Sequence, residues 1–299
     1  MQRTKIDYLT HTWNPIAMRC TPVSKGCKNC WHLRMAKRLA GNELIEDFKR
    51  FAYAGSDKPT IDMEELASPL RLRKPARIGV QFMGDLFHES MPDKFIFSVF
   101  SVMAAASNHI FIVLTKRPER MKKIIEELEK NAHGVAGPIP CKNVWLGVSV
   151  EDQRTADERI PILLQTPAAV RFVSYEPALG PVDFEKIKIG NHYPQGQRED
   201  WRESVLKDHC FMVDEGQWDL PSLDWIVMGG ETGPGARPIH PDWARSVRDQ
   251  CKTAALAFYF KSWGEWRQVP TDTWGNYERV GSARSGRLID GKEYNEVPT

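Results

Sequence analysis

Three thiols lie within eleven residues near the N-terminus, in the segment Cys20-Thr-Pro-Val-Ser-Lys-Gly-Cys27-Lys-Asn-Cys30. Half of the six cysteines in the 299-residue sequence lie here. Pro22 and Gly26 disfavour regular structure between the first two cysteines, so the backbone can curl around a bound group. The apolar spacing from Leu33 to Phe51 is typical of a helix. The sequence therefore predicts a loop between a strand and a helix that presents three thiolates to one point.

The charge balance and the apolar pattern limit the class of protein. The chain has 41 Lys and Arg residues against 39 Asp and Glu residues, so no bulk positive field indicates nucleic acid, and any such contact must be local. No apolar run approaches the roughly 20 residues that span a bilayer, and the N-terminus lacks the apolar core of a secretory signal. We expect a cytoplasmic protein with no membrane partner. In that reducing compartment clustered cysteines are typically metal ligands or catalytic groups.

A regular alternation of strand-like and helix-like segments begins at residue 77. Strands separated by helices of about 10–15 residues predict βαβ units and a parallel sheet. With a first strand near Tyr8 to Trp13, seven strands are predicted, which favours a partial, open barrel with outer helices over a closed eight-stranded one. The other predicted strands are Arg77–Met83, His109–Leu114, Asn143–Val150, Val170–Val173, Leu223–Met228 and Ala257–Phe260.

Polar or ionisable residues follow each predicted strand directly. In parallel α/β architectures the carboxyl ends of the strands form the rim of the active site. The cysteine loop follows the first strand, so we expect it to open onto the same rim. The ionisable residues in this position are Asp85, Lys116, Glu151, Glu176, Glu231 and Lys261.

Two segments interrupt the alternation and set the predicted domain organisation. Residues 41–73 hold a longer helical and loop excursion that ends in a basic run, which we interpret as a solvated face, with a phosphate-contacting edge as the alternative. Residues 191–222 are polar and have the length of a lid at the barrel mouth. We predict a barrel over residues 1–267 with this insertion, followed by a C-terminal extension over residues 268–299.

Three clustered cysteines allow two kinds of metal site. A [4Fe–4S] cluster normally takes four thiolates, so three would leave one iron open to a small molecule. Alternatively, His32 would complete Cys20, Cys27 and Cys30 in a structural zinc site, which takes four ligands. The spacing of Cys27 and Cys30 suits either metal. Position on the predicted rim favours the cluster, because a structural zinc has no need to lie there.

Several short sequence motifs between about residues 5 and 267 are similar to those of a known superfamily. With the three-cysteine loop, they resemble the radical S-adenosylmethionine superfamily and, within it, a phage- and prophage-associated branch of uncharacterised proteins. The loop differs from the superfamily pattern, with six residues between its first two cysteines in place of three. The motifs are Thr12-Trp13-Asn14-Pro15, Gly84-Asp85-Leu86-Phe87, Leu114-Thr115-Lys116-Arg117-Pro118, Tyr175-Glu176-Pro177, Gly229-Gly230-Glu231-Thr232-Gly233 and Phe260-Lys261-Ser262-Trp263-Gly264.

The resemblance implies a partial (β/α)6-type barrel in which Cys20, Cys27 and Cys30 hold a [4Fe–4S] cluster. The amino and carboxylate groups of S-adenosylmethionine would bind the open iron, and reductive cleavage would give a 5′-deoxyadenosyl radical that abstracts a substrate hydrogen. An electron donor such as flavodoxin or ferredoxin is implied, and a phage-encoded chain would act in the host cytoplasm. Strand-end position then assigns Gly84 and Asp85 to the methionine ammonium, Ser149 and Glu151 to ribose or carboxylate, Gly229 and Gly230 to adenine, and Lys116, Glu176 and Lys261 to catalysis on the substrate.

Three functions remain open from the sequence. The first is a radical enzyme, as an isomerase, lyase or transferase, that modifies a phage-related nucleic-acid base such as a hypermodified thymidine in DNA or a nucleotide. Ten tryptophans could stack a base, and the local cations Lys116, Arg117, Arg120, Lys122 and Lys123 could contact phosphate. The second is a zinc-stabilised protein without catalysis that binds nucleic acid or a partner. The third is a DNA photoproduct-type repair lyase with Cys141 or Tyr175 as hydrogen donor.

Overall fold

A computed structural model shows a mixed α/β protein with a large, mostly parallel sheet and accompanying helices. Contacts divide the chain into two compact units. The first comprises Met1–Gly147 and Thr166–Val170, and the second comprises Val148–Gln165 and Arg171–Thr299. The structure describes residues 1–55, 57–131, 139–190, 201–213, 216–269 and 277–298.

The first unit contains the N-terminal part of the sheet. Strands β2, β5 and β6 pair in parallel in that order, β1 is antiparallel to β2, and β3 pairs with β4 in a separate ribbon. The strands are β1 (Gln2–Arg3), β2 (His11–Trp13), β3 (Ile16–Ala17), β4 (Thr60–Ile61), β5 (Arg77–Val80), β6 (Ile110–Thr115) and β7 (Val144–Ser149), whose last two residues belong to the second unit. The helices are α1 (Trp31–Ala40), α2 (Asp47–Tyr53), α3 (Met63–Leu66), α4 (Ser68–Arg71), α5 (Asp93–Ala105) and α6 (Pro118–Asn131).

The second unit contains a parallel group of three strands in the order β8, β13, β14. Three antiparallel ribbons accompany them, β9 with β10, β11 with β12, and β15 with β16. The strands are β8 (Val170–Tyr175), β9 (Ile187–Gly190), β10 (Trp201–Glu203), β11 (His209–Val213), β12 (Gly216–Leu220), β13 (Trp225–Gly229), β14 (Ala257–Ser262), β15 (Trp266–Gln268) and β16 (Tyr277–Arg279), and the helices are α7 (Gln153–Leu164), α8 (Pro241–Thr253) and α9 (Ser282–Ser285).

Apolar strand residues form the core of each unit. In the first unit the rings of Trp13 and Phe111 lie with their centroids 5.7 Å apart, and both side chains are fully buried. In the second unit Phe172 and Trp225 pack at the same centroid distance, and every residue of β13 is buried. Strands buried on both faces read as continuous apolar runs, which is why the alternation was visible in the sequence.

The predicted order of strands is confirmed, but several boundaries were wrong. All seven predicted strands are present as β2, β5, β6, β7, β8, β13 and β14. Strand β5 ends at Val80 and not at Met83, because Gln81 has a positive φ of 52° that breaks the extended backbone. The helix predicted from Leu33 to Phe51 is two helices, α1 and α2, separated after Gly41.

The finer features of the predicted architecture are only partly visible. The described ranges contain a large, mostly parallel sheet and show no closed barrel. Of the predicted insertion at 191–222, residues 191–200 and 214–215 lie outside the described part, and the rest includes β10, β11 and β12. Residues 277–298 of the predicted extension hydrogen-bond to β14, where Phe260 N donates to Tyr294 O at 2.8 Å. None of the helices in the described ranges has the length and apolar character to cross a membrane.

A close backbone contact in the second unit gives a test of the fold. A Cβ atom at Gly230 would lie 2.3 Å from the carbonyl oxygen of Trp263, a separation that only backbone movement relieves. We expect Gly230→Ala to lower the free energy of unfolding by about 2–3 kcal/mol, as overpacking does in well-packed interiors. Urea denaturation of the purified chain would measure this.

The matched control is Gly41→Ala, where the added Cβ would meet no atom closer than 3.8 Å and the φ of −90° suits alanine. This variant should be neutral or more stable by up to about 1 kcal/mol. Equal stability of the Gly230→Ala and Gly41→Ala proteins would show that Gly230 and Trp263 do not lie in such close contact.

Candidate functional site

The thiol loop, residues 20–30, lies in the first unit between β3 and α1. A 3₁₀ turn at Lys25–Cys27 shapes its second half, with Cys27 N donating to Ser24 O at 3.0 Å. Cys30 is the N-cap residue of α1, and its backbone N–H donates to Cys27 O at 3.3 Å. All three cysteines are free thiols. The predicted loop between a strand and a helix is therefore present, and its thiols are not consumed by disulfides.

His32 ties the start of the thiol loop to α1. Its Nε2 accepts a hydrogen bond from Cys20 N at 3.3 Å, and the side chain is only 2 % exposed. Burial lowers the pKa of His32 to about 4, so the imidazole is neutral near pH 7. Its Nδ1 is buried and makes no hydrogen bond. The Nε2 lone pair is thus used by the protein backbone, whereas Nδ1, the other nitrogen through which a histidine can bind zinc, has no partner among the described residues.

Asp85 accepts hydrogen bonds at both carboxylate oxygens. Oδ1 accepts from Thr115 Oγ1 at 2.7 Å and from Phe87 N at 3.0 Å. Oδ2 accepts from Lys116 N and from Arg117 Nη1, each at 3.1 Å. A carboxylate offers about four lone-pair sites, so these four donors occupy them. The predicted contact of Asp85 with a ligand ammonium has no acceptor left in this arrangement.

Arg117 connects Asp85 to the thiol loop. Its guanidinium is 6 % exposed and forms ion pairs with Asp85 and with Glu89, the latter at 2.7 Å from Nε. Nη2 donates to the carbonyl and the hydroxyl oxygens of Thr21 at 3.2 and 2.9 Å. Nη1 lies 3.7 Å from Cys20 Sγ. One buried cation thus fixes the first residues of the thiol loop and contacts one of its sulfurs.

His88 supports the same end of the loop. Its Nε2 lies 2.9 Å from Thr21 Oγ1, and its Nδ1 lies 2.9 Å from Ser90 Oγ. Burial, with the nearby Arg117 charge, lowers the pKa of His88, so the ring is neutral near pH 7. The side chain positions Thr21, and both of its ring nitrogens have protein partners where a metal ligand would need a lone pair.

The thiol of Cys20 is protonated at neutral pH. Burial and the Asp85 carboxylate raise its pKa to about 12, and Arg117 offsets only part of that effect. Metal ligation requires a thiolate, so a metal would displace this proton. In residues 1–55, 57–131 and the other described ranges, no three or more His, Cys, Asp or Glu side chains are arranged to hold a metal ion as they stand. Metal binding at the loop therefore requires cysteine side chains to turn.

The other first-unit residues for which a functional role was predicted lie in packed or hydrogen-bonded positions. Gly84 has a φ of +131°, and a Cβ there would lie 2.7 Å from Met18 Sδ, so the position requires glycine. The backbone N–H of Lys116 contacts Asp85, and its side chain is half-buried. Cys141, a candidate hydrogen donor, is buried.

The residues predicted in the second unit form ion pairs of their own. Lys261 Nζ lies 2.6 Å from Glu176 Oε1, and Ser149 Oγ donates to Glu176 O at 3.2 Å. Glu151 is fully buried and pairs with Arg159 at 3.3 Å. The hydroxyl of Tyr175 is also engaged, since it donates to Gly180 O. The catalytic roles predicted for Glu176 and Lys261 stay predictions.

Two glycines and a glutamate of the second unit shape the turn after β13. Gly229 packs so that a Cβ would lie 3.3 Å from Glu176 Cδ, and Gly230 N donates to Ser262 O at 2.9 Å. Glu231 is buried and accepts from Arg237 at N, Nε and Nη2, the shortest of these bonds being 2.6 Å. Contacts within the protein therefore hold this turn in place. The cofactor-binding roles predicted for four residues also stay predictions, namely Gly229, Gly230, Ser149 and Glu151.

The sequence reasoning missed the residues that hold the thiol loop. Arg117 was named only as a local cation and a substrate contact, and Thr21, His88 and Glu89 had no role. The sequence did contain one indication, because Arg117 of the Leu114–Pro118 motif follows β6 at the sheet edge where the thiol loop was expected. The partners of Arg117 are distant in sequence, so spacing alone could not pair them.

Comparison with known proteins corrects the predicted family. A family model described as "Protein of unknown function (DUF5131)" matches residues 3–298. No curated protein and no solved structure matches the chain. The predicted membership of the radical S-adenosylmethionine superfamily, and of its phage-associated branch, is wrong, because the family that covers nearly the whole chain is this uncharacterised one.

Proposed function

Because the chain belongs to the DUF5131 family of proteins of unknown function, we propose a function from the site itself: an iron–sulfur enzyme. In this proposal Cys20, Cys27 and Cys30 hold a [4Fe–4S] cluster whose fourth iron has no protein ligand and binds S-adenosylmethionine. When bound, the cluster supplies an electron for reductive cleavage of that ligand, and the radical product abstracts a hydrogen from the substrate. The proposal includes a partial (β/α)6-type barrel as its finer architecture.

The observation that carries this proposal is the grouping of three free cysteines, Cys20, Cys27 and Cys30, on one loop, with the buried Arg117 guanidinium 3.7 Å from Cys20 Sγ. His32 Nε2 accepts the backbone N–H of Cys20, and the four lone-pair sites of Asp85 face protein donors. Structural zinc sites are closed by four protein ligands, whereas a cluster held by three thiolates keeps one iron open. A zinc site would have to use His32 Nδ1, which has no hydrogen-bond partner in the described part of the chain, whereas the proposed cluster needs only the three thiols.

Among the surrounding residues Arg117 favours an anionic sulfur at Cys20, and it acts against burial and the Asp85 carboxylate. Arg117 brings a buried positive charge to within 3.7 Å of Cys20 Sγ, where it offsets the negative charge of thiolate and cluster. Hydrogen bonds to ligating sulfurs tune the reduction potential of iron–sulfur sites. Asp85 forms an ion pair with this guanidinium, so its proposed role is to position Arg117, and its contact with the methionine ammonium stays a prediction.

The substrate and electron donor are finer parts of the proposal. We retain a nucleic-acid base, in DNA or a nucleotide, as substrate, and flavodoxin or ferredoxin as donor. The cations first considered for phosphate contact give this little support: Arg117 is buried in ion pairs, Arg120 pairs with Asp93 at 2.6 Å, and Lys122 lies 3.8 Å from Glu126. A repair lyase has less support, because the candidate donors Cys141 and Tyr175 are both buried.

Anaerobic purification followed by reconstitution with iron and sulfide tests the proposal. The protein should bind about four irons and four sulfides per chain, as a [4Fe–4S] cluster requires. After reduction and addition of S-adenosylmethionine, 5′-deoxyadenosine should appear. A colourless protein that retains one zinc would support the structural alternative and remove the radical chemistry.

A further inference from the structure

The segment around the thiol loop has a strong local positive charge. Between Tyr8 and Asn42 the sequence contains no Asp or Glu, although the whole chain has a formal net charge of only +2. Every Lys and Arg side chain in this segment is exposed. Because opposite charges elsewhere balance the total, the bulk composition conceals this surface. The cations are Arg19, Lys25, Lys28, Arg34, Lys37 and Arg38.

Helix α1 presents part of this charge on one side. Its inner side carries His32 and Ala36, both buried, and Ala36 packs with residues of α2. Trp31, Arg34 and Arg38 follow at spacings of three and four residues, so they form a stripe along the opposite side. The stripe begins at Trp31, directly after Cys30 of the thiol loop, and the indole is 45 % exposed.

The cations of α1 have no charge partner among the residues that the structure describes. Arg34, Lys37 and Arg38 form no ion pair with any carboxylate of the described residues. Elsewhere in the first unit, by contrast, Lys49 lies 2.6 Å from Asp62. Uncompensated cations that are exposed beside an aromatic ring provide an electrostatic and stacking surface for an anionic polymer.

We propose that this basic face, defined as Lys28, Trp31, Arg34, Lys37 and Arg38, binds single-stranded nucleic acid. The cations contact successive phosphates, and an unpaired base stacks on Trp31. Stacking requires an exposed base face, which a single strand offers and a continuous duplex does not. Among the five side chains of the basic face Trp31 alone is apolar, which suits stacking of a single base. That the bound strand is also the substrate rests on the function proposed above.

Fluorescence anisotropy with a labelled single-stranded oligonucleotide of about 12 nucleotides tests the basic face in the full-length protein. We expect the triple variant Arg34→Ala, Lys37→Ala, Arg38→Ala to bind about tenfold or more weakly near 0.1 M salt. Its plot of log affinity against log salt should be flatter by about 2, because each lost phosphate contact contributes roughly 0.7 on a single strand. Trp31→Ala should lose about tenfold, and Trp31→Phe should recover most of it, since stacking needs only an aromatic ring.

The matched control removes three exposed lysines of the second unit, Lys207, Lys252 and Lys292, and so changes the net charge equally. The control variant should retain wild-type affinity. Equal losses in the two triple variants, no binding of the oligonucleotide, or unchanged binding by Trp31→Ala would overturn the proposal. Binding to phosphatidylserine vesicles in preference to the oligonucleotide would also overturn it.

The same assay separates this inference from the cluster proposal. Iron loading and 5′-deoxyadenosine formation without oligonucleotide binding would reject the basic face alone. Oligonucleotide binding by a protein that takes up no iron would reject the cluster alone and retain the basic face.

Discussion

Serine in place of Cys20, Cys27 or Cys30 is expected to abolish cluster loading and 5′-deoxyadenosine formation. Iron–sulfur clusters are held by thiolates, and a serine hydroxyl is a far poorer ligand at neutral pH. With three protein ligands and no replacement nearby, each single change leaves only two. Iron bound per chain after anaerobic reconstitution should therefore fall from about four to near zero in all three variants.

Cys210→Ser is the matched control for these variants. Cys210 lies on β11 in the second unit, is exposed, and has no place in the proposed site. Its replacement should leave iron, sulfide and product formation at wild-type values. Full iron content in any of the three loop variants, measured beside this control, would show that the corresponding thiol is not a ligand.

His32→Gln distinguishes the two metal hypotheses. Glutamine can still accept a backbone hydrogen bond, as His32 Nε2 does from Cys20 N, but it is not a zinc ligand of the usual kind. The cluster proposal expects this variant to load iron normally. The zinc alternative expects metal loss as severe as that of the cysteine variants, so one measurement of metal content separates them.

The order of strands and helices could be predicted from the sequence because it is a local signal. Buried parallel strands such as β13 are continuous apolar runs, and α6 begins at Pro118, a residue that is common at the first position of a helix. The end of β5 could not be predicted, since it depends on Gln81. The amide group of that side chain accepts a hydrogen bond from Ile16 N and donates one to Ile16 O, which links it to β3, 65 residues earlier in the chain.

Of the candidate site, only the proposed metal ligands and the position of Asp85 could be predicted from the sequence. The three cysteines are adjacent in sequence, so their clustering was evident, and strand-end position indicated Asp85. What Asp85 does could not be inferred, because Thr115 and Arg117, which occupy its oxygens, lie about 30 residues further along the chain. Sequence spacing shows that a carboxylate lies at the rim but not which of its lone pairs are already used.

Arg117→Ala is expected to destabilise the first unit and to impair cluster loading. The change leaves Asp85 buried without its charge partner and removes the two hydrogen bonds from the guanidinium to Thr21. Breaking one side of a buried ion pair costs about 3–5 kcal/mol, because the remaining charge stays desolvated. Arg117→Lys keeps the charge but cannot reach Asp85, Glu89 and Thr21 together, so we expect an intermediate loss.

Urea denaturation of the metal-free chain and iron content after reconstitution measure the two effects of Arg117 separately. Arg154→Ala is the control, since that exposed arginine pairs with Glu158 one helical turn away and should cost less than about 0.5 kcal/mol. The double variant Asp85→Asn, Arg117→Ala should be less destabilised than the sum of the single variants, because both charges of one pair are removed. If Arg117→Ala unfolded like the control and loaded iron fully, Arg117 would have no role in positioning the thiol loop, and the electrostatic argument for an anionic sulfur site would fail.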